Sequence, residues 1–175
     1  DLPNLVELNF DGNKGSGGCA ASWAHHFKKM MNLQKLHLSD CLLTGEDMAH
    51  IAPALCNLPN LVGLHLWDNK ALGGSAASWA HHFMKMKHLH NLYLSFCTLT
   101  GEDMIHIAPA LSVLPNLVEL SLTGNQGLGA GSAASWAHHF KKMMNLQNLR
   151  LSGCSLTGED MTHIAPALCD LPNLV

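Results

Sequence analysis

A long internal repeat is the feature that most constrains how this chain can fold. Two short phrases, WAHHF and LTGEDM, each occur three times and alternate along the chain, at residues 23–27, 43–48, 79–83, 99–104, 136–140 and 156–161. The repeating unit is therefore about 56 residues long and has two unlike halves. Such a chain predicts a stacked array in which each unit contacts mainly its neighbours. Function then lies on a face that the repeats do not share.

A finer period of 28 or 29 residues separates the two halves of each unit. It is marked by seven leucines, Leu5, Leu33, Leu61, Leu89, Leu117, Leu146 and Leu174. The phrase L-x-x-L-x-[LF]-x-x-[NC], which is typical of leucine-rich repeats, begins at each of the first six leucines. Its x-L-x-L core predicts a short parallel strand with the leucines in the core and the x residues pointing out. The closing Asn or Cys is expected to turn the chain and to satisfy backbone groups at the strand end.

The segment after each strand is expected to be helical. In the cysteine-type halves, Thr44 and Asp47 form a capping-box-like start, and Pro53 is expected to kink the helix or end it early. In the asparagine-type halves, Trp23 and Phe27 begin an apolar stripe at helical spacing. The serines of the SAAS phrase that precedes this stripe suit a helix N-cap.

Strand plus helix in about 28 residues predicts an α/β fold, a leucine-rich-repeat solenoid shaped as a horseshoe. Its parallel β-sheet is concave and its helices are convex. We predict that residues 1–175 form a single array of about six 28- or 29-residue repeats. The chain begins without methionine and stops inside a repeat, which favours an uncapped fragment of a larger protein.

The amino-acid sequences of the repeats resemble those of a known protein family. Alternating 28- and 29-residue units of asparagine and cysteine type resemble the ribonuclease-inhibitor-like class of leucine-rich repeats. The phrases LPNLVEL, GSAASWAHHF and LTGEDMxHIAPAL resemble the C-terminal repeat region of NOD-like receptors, especially the lancelet-like type of invertebrate chordates. The resemblance implies a cytoplasmic innate immune receptor in which this region recognises a microbial ligand or a protein, or holds the receptor inactive. The sequence contains no G-x-x-x-x-G-K-[ST] phrase, so it does not include a nucleotide-binding part.

The outward strand positions differ from repeat to repeat, whereas the helices are near copies. Tyr93 is the only tyrosine, Arg150 is the only arginine, and Trp67 is the only tryptophan outside WAHHF. These residue types are frequent binding hot spots, and aromatic side chains on an exposed strand surface mark contact sites. Neutral drift of exposed positions is the alternative explanation. We predict a ligand- or partner-binding site on the concave face, formed by His37, His65, Trp67, Asp68, Tyr93, Phe96 and Arg150.

The residue spacing does not favour catalysis or cofactor and metal binding. Helix capping explains the repeated Glu-Asp pairs, and no Ser or Cys stands beside a plausible base. The adjacent histidines of WAHHF are expected to diverge by ~100° on a helix, which does not suit a zinc site. A net charge of −3 gives no basis for nucleic-acid binding, and no apolar run approaches the ~20 residues of a membrane span. We therefore predict a protein that is not an enzyme, takes no cofactor and no metal, and binds neither nucleic acid nor membrane.

Three of the six cysteines recur at one repeat position. Cys41, Cys97 and Cys154 are two repeats apart, or ~10 Å between strands, which exceeds disulfide reach. We predict buried free thiols, which are typical of a reducing, cytoplasmic compartment.

Two further functions are compatible with the sequence. A protein–protein interaction scaffold needs only the array itself. An enzyme inhibitor of the ribonuclease-inhibitor kind requires a strongly acidic concave face, whereas the five carboxylates in the outward columns are opposed by one lysine and one arginine. Uncapped ends are expected to expose apolar core, which favours end-to-end self-association.

Overall fold

A computed structural model describes residues 4–175 as one six-stranded parallel sheet with helical segments between successive strands. The strands follow the chain order and are β1 (Glu7–Asn9), β2 (Lys35–His37), β3 (Gly63–His65), β4 (Asn91–Tyr93), β5 (Glu119–Ser121) and β6 (Asn148–Arg150). Each strand pairs with the next in the register set by the repeat phrase, so that the central leucines Leu36 and Leu64, for example, are partners. The predicted α/β leucine-rich-repeat solenoid is confirmed. The first LPNLV copy begins at Leu2, so its first two residues lie outside the described residues.

The cysteine-type repeats contain regular α-helices. They are α2 (Gly45–Leu55), α3 (Gly101–Leu111) and α4 (Gly158–Cys169). The remaining α-helix, α1 (Ala20–Trp23), is a single turn and lies in the first asparagine-type repeat. The predicted capping box is confirmed, because the Thr44 side chain accepts a hydrogen bond from the amide of Asp47 and the Asp47 carboxylate accepts one from the amide of Thr44. The expectation that Pro53 ends the helix early is wrong, since α2 continues through Pro53 to Leu55.

The asparagine-type repeats contain tight 3-10 turns where the sequence predicted longer helices. These turns are Lys14–Ser16, Ala24–Lys29, Lys70–Leu72, Ala76–Ser78, Ala80–Lys85, Ser132–Ser135 and Ala137–Lys142. The predicted serine cap is also wrong. The Ser75 hydroxyl donates to the carbonyl of Leu72 and accepts the indole N–H of Trp79, so it fixes an aromatic ring instead of capping a helix.

A continuous apolar core runs between the sheet and the helical layer. Trp79, Phe83, Trp136 and Phe140 are completely buried in it together with the repeat leucines. The apolar stripe of the WAHHF segments is therefore part of the core. The three recurrent cysteines are buried free thiols, which also agrees with the prediction.

Buried polar side chains connect each repeat to the one before it. Asn125 donates to the carbonyls of Leu94 and Leu122 and accepts from the amides of Cys97 and Leu99, and Asn69 makes the equivalent four bonds. Because the side chain bonds across the repeat boundary, the asparagine couples two units as well as turning its own chain.

The helix-capping aspartates make a second connection of this kind. The Asp103 carboxylate caps α3 and also accepts the amides of Gly74 and Ala76 in the preceding repeat. Helix capping therefore accounts for two of the four hydrogen bonds that the Asp103 carboxylate accepts. The longest helix in residues 4–175 has 12 residues, and none is long and apolar enough to cross a membrane.

Candidate recognition surface

The outward face of the sheet, defined by the side chains on either side of each central leucine, carries a row of contacts across five strands. The imidazoles of His37 and His65 stack with centroids 4.1 Å apart, and the ring of Tyr93 lies 4.4 Å beyond His65. Parallel pairing produces this row, because His37, His65 and Tyr93 are successive register partners. The Tyr93 hydroxyl then donates to Glu119 at 2.8 Å, and Glu119 pairs with Arg150 at 3.0 Å.

Carboxylates hold both ends of this row. At the first end, His37 Nε2 lies 3.3 Å from Glu7 without hydrogen-bond alignment, and its Nδ1 lies 3.8 Å from Asp11. At the other end, Glu119 contacts both Tyr93 and Arg150. The row is therefore pre-ordered, and a partner would meet side chains that are already fixed.

The environment of the row shifts two of its pKa values. Burial, followed by the neighbouring His37, lowers the pKa of His65, which keeps the stacked imidazole neutral. Burial of the phenol, the hydrogen bond to Glu119 and the charge of that carboxylate raise the pKa of Tyr93 to about 12. Tyr93 therefore serves as a hydrogen-bond donor and apolar surface throughout the physiological range.

Two exposed aromatic residues stand beside the row. The side chain of Trp67 is 43% exposed, whereas Ser39 and Ser95, which take its position in the adjacent repeats, are buried. Phe96 is 49% exposed and follows β4 in the left-handed region, with φ of 56°. We call Trp67, Tyr93 and Phe96 the aromatic patch.

The backbone of Phe96 is strained for a residue of its size. This position has positive φ in every repeat. In the other five repeats it is occupied by Gly12, Asp40, Asp68, Gly124 and Gly153. A left-handed conformation costs a residue with a Cβ about 1–2 kcal/mol, and only Gly, Asn or Asp adopt it routinely. The Phe96 ring packs on the bare backbone of Gly124, where an added Cβ would lie 2.3 Å from Phe96 Cδ1. An exposed aromatic ring is thus kept at a position that disfavours it, which is typical of functional sites.

Acidic side chains border the aromatic patch. Asp40 pairs with Lys14 at 3.3 Å, and Asp68 pairs with Lys70 at 3.4 Å. Both carboxylates remain partly exposed, so an incoming cation could displace the lysines. The structure therefore brings six of the seven predicted site residues together around β3 and β4, while Arg150 joins them through Glu119.

The comparisons with known proteins agree with this architecture. The family model described as Leucine Rich Repeat matches residues 32–58 and 145–171. NACHT, LRR and PYD domains-containing protein 3 of Bos taurus is 30% identical over 178 residues, which cover 98% of this chain and 17% of that protein. The human NACHT, LRR and PYD domains-containing protein 13 is 34% identical over 95 residues, or 54% of this chain and 9% of that protein. The chain is a leucine-rich-repeat region of the NOD-like receptor family. It spans less than a fifth of the length of these relatives.

Two solved structures share the fold of this leucine-rich-repeat region. The tropomodulin C-terminal domain of Caenorhabditis elegans superposes with a TM-score of 0.62 at 15% identity, covering 97% of this chain and 86% of that one. Leiomodin-1 actin-binding site 2 gives 0.55 at 16% identity, covering 96% and 81%. At these identities the likeness shows the fold alone. The invertebrate chordate assignment stays a prediction.

The structure corrects the sequence interpretation of the paired histidines. The rings of His81 and His82 are 4.1 Å apart, and the other two WAHHF pairs are equally close, so these side chains do not diverge. A 3-10 turn has three residues per turn, so its backbone separates adjacent residues by ~120°, and the two rings meet through their side-chain conformations. Among residues 4–175, no three His, Cys, Asp or Glu side chains are grouped to hold a metal ion.

Sequence analysis also missed Glu119 as a site residue. This carboxylate joins Tyr93 to Arg150, although it lies in a different outward column from both. The signal was present in the parallel register, which places Glu119 beside Asn91 and two positions before the level of Tyr93 and Arg150. Long side chains reach diagonally across strands at this separation.

Proposed function

We propose that this leucine-rich-repeat region is the recognition module of a cytoplasmic innate immune receptor and binds a polypeptide partner on its outward sheet face. Phe96 carries the proposal, because an exposed ring on a left-handed backbone has no role in the core. The aromatic patch supplies rigid apolar area, and His37 and His65 extend it along the sheet.

The chemistry of the border indicates the kind of partner. Asp40 and Asp68 stand beside exposed aromatic rings, an arrangement that favours a basic side chain over an acidic one. The expected partner is a polypeptide segment that presents an apolar or aromatic residue next to a lysine or arginine. A microbial protein and a regulatory segment of the receptor itself both meet this description.

The repeats themselves provide substitutions that the fold accepts. Trp67→Ser introduces the residue found at this position in three other repeats, and Phe96→Gly introduces the residue found in three others. This double variant removes the two most exposed rings of the aromatic patch and leaves Tyr93 in place, without adding strain. A second double variant, Met84→Ala/Val113→Ala, removes exposed apolar surface elsewhere and serves as the matched control.

The experiment is a selection of peptides from a random display library on the unaltered chain, followed by affinity measurement on each variant. We expect the selected peptides to be rich in basic and aromatic residues and to lose about 30-fold or more in affinity for Trp67→Ser/Phe96→Gly. The control variant should bind within about twofold of the unaltered chain. Peptides that bind both double variants equally well would contradict the proposal.

A further inference from the structure

Six exposed lysines lie along one edge of the sheet. They are in or just after the last turn of the WAHHF segments, which lead into β2, β4 and β6. Because all six strands are parallel and in register, their first residues share one edge. The acidic first turns of α2, α3 and α4 follow strand ends, so they lie at the opposite edge. We call the six lysines the basic edge: Lys28, Lys29, Lys85, Lys87, Lys141 and Lys142.

The basic edge is not neutralised by carboxylates of the described residues. The three other lysines each form an ion pair with Asp or Glu, whereas none of these six does so within residues 4–175. The runs 12–39, 69–101 and 120–158, which contain all six, have no Asp or Glu. Glu7 and Glu119, at strand starts, are already engaged with the outward row.

The histidines beside the lysines experience this uncompensated charge. Burial lowers the pKa of His82, and the positive neighbours His81 and Lys85 lower it further. The equivalent histidine of the third copy, His139, is affected in the same way. The edge therefore has a positive local potential, although the net charge of the chain is −3.

Each copy of the 56-residue unit contributes the same side chains to the edge. At the first, second and fourth positions after the WAHHF phenylalanine, the three copies read Lys-Lys-Met, Met-Lys-Lys and Lys-Lys-Met. Every copy thus has two lysines and one exposed methionine, which is Met31, Met84 or Met144. Two imidazole rings 4.0–4.1 Å apart stand in the same segment. A partner would meet three similar sites in a row.

Side chains of the following repeats fix the backbone of this edge. Asn60 donates to the carbonyl of Met31 at 2.9 Å, and Asn116 donates to the carbonyl of Lys87 at 2.8 Å. The third copy has the equivalent bond. The three sites are therefore held at the spacing of the strands, which favours binding because little order has to be gained.

That spacing selects a backbone conformation for a bound polypeptide. The sites belong to β2, β4 and β6 and are two strand separations apart, or about 10 Å. A polyproline II segment has three residues per turn and rises about 9 Å per turn, so every third side chain points to the same side. In a β-strand, side chains three positions apart point to opposite faces. Polyproline II therefore matches the three sites.

We propose that the basic edge is a second interaction surface, which binds an acidic polypeptide segment in polyproline II conformation with a carboxylate at every third residue. One carboxylate meets the lysines of each copy, and the exposed methionines and imidazoles contact the residues between. The net charge of −3 disfavours large polyanions such as nucleic acid or an anionic membrane, whereas the methionines suit a polypeptide. This surface lies apart from the aromatic patch and is expected to bind independently of it.

The test uses a labelled peptide of four Pro-Pro-Glu repeats, followed by fluorescence anisotropy at about 20 mM ionic strength. A peptide of eight prolines followed by four glutamates has the same composition and is the control probe. Lys29→Gln/Lys85→Gln/Lys142→Gln removes one lysine from each site. Lys14→Gln/Lys35→Gln/Lys70→Gln changes the net charge equally at lysines outside the edge and is the matched control. All of these positions are exposed, so circular dichroism should show that both variants fold.

We expect the repeat peptide to bind with a Kd of about 100 µM and the control peptide about tenfold more weakly. The basic-edge variant should lose about tenfold in affinity and the matched control less than about twofold. Trp67→Ser/Phe96→Gly should bind this peptide as the unaltered chain does. No binding up to about 1 mM, equal losses in the two triple variants, or equal binding of the two peptides would each overturn the proposal. Tighter binding of oligothymidylate or of phosphatidylserine vesicles than of the repeat peptide would also overturn it.

Discussion

The buried asparagine of the odd-numbered repeats allows a sharp test of what holds the array together. Replacing Asn125 by alanine removes four hydrogen bonds of 2.7–3.0 Å, two that it donates and two that it accepts. The side chain is completely buried, so water cannot replace the lost partners without opening the repeat boundary. Each bond contributes about 1 kcal/mol net, and the buried amides of Cys97 and Leu99 lose their acceptor. Asn125→Ala should therefore lower the free energy of unfolding by about 4 kcal/mol.

Asn13→Ala is the matched control for this substitution. It is the same chemical change at the same repeat position, but Asn13 is exposed, and within residues 4–175 its side chain makes one hydrogen bond, to the carbonyl of Phe10. The expected loss is about 0.5–1 kcal/mol. Asn125 bonds to the repeat before it, whereas Asn13 makes no such bond within residues 4–175.

Equilibrium urea unfolding, followed by circular dichroism and tryptophan fluorescence at a concentration where the chain is monomeric, measures both losses. Coincidence of the two signals is required, because repeat arrays can unfold in steps. If Asn125→Ala and Asn13→Ala destabilise the chain to within about 1 kcal/mol of each other, the bonds across the repeat boundary do not have the role assigned to them.

Three further predictions concern titratable groups. Burial acts to raise the pKa of Asp160, but hydrogen bonds from Thr157 and from the preceding repeat outweigh it and lower this pKa to about 2. A lowered pKa stabilises the folded state above pH ~4, so about 2 kcal/mol should be lost as pH falls from ~4 to ~2, and urea unfolding of Asp160→Asn should show a smaller loss over this range. Tyr93, the only tyrosine, should ionise near pH 12 by absorbance, and Glu119→Gln should lower that midpoint only in part, since burial is the larger cause. Burial raises the pKa of Cys97 to about 12, so a thiol reagent at neutral pH should modify the exposed Cys19 quickly and Cys97 only after denaturation.

The fold could be predicted from the sequence because the same residue pattern recurs in each repeat. The leucines at period 28 gave the strands, their register and the buried face, and Thr44 with Asp47 gave the start of a helix. The distinction between α-helix and 3-10 turn did not follow. The Trp79 and Phe83 rings lie 5.5 Å apart in the core, so their spacing fitted an α-helix, whereas the observed turn has the Ser75 hydroxyl bonded to Leu72 and Trp79.

The sequence predicted which residues lie on the candidate surface, but it did not predict which of their side chains contact one another. The outward columns gave Trp67 and Tyr93 correctly as neighbours on one face. Comparison of columns could not show that Glu119 reaches diagonally to two other strands, because that depends on side-chain length and rotamer. The positive φ of Phe96 was likewise invisible until the turn after each strand was seen, although glycine at this position in three repeats was the signal.

The indole N–H resonances of the chain offer the most direct test of recognition by the outward face. The four tryptophans give four resonances, and Trp67 is the only one on this face, while Trp79 and Trp136 are buried in the core. A Trp67→Phe variant assigns its resonance. On titration with a selected peptide, the account predicts that the Trp67 resonance shifts or broadens while those of Trp79 and Trp136 stay in place. A Trp67 resonance that does not move at saturating peptide, whatever the others do, would contradict recognition through this surface.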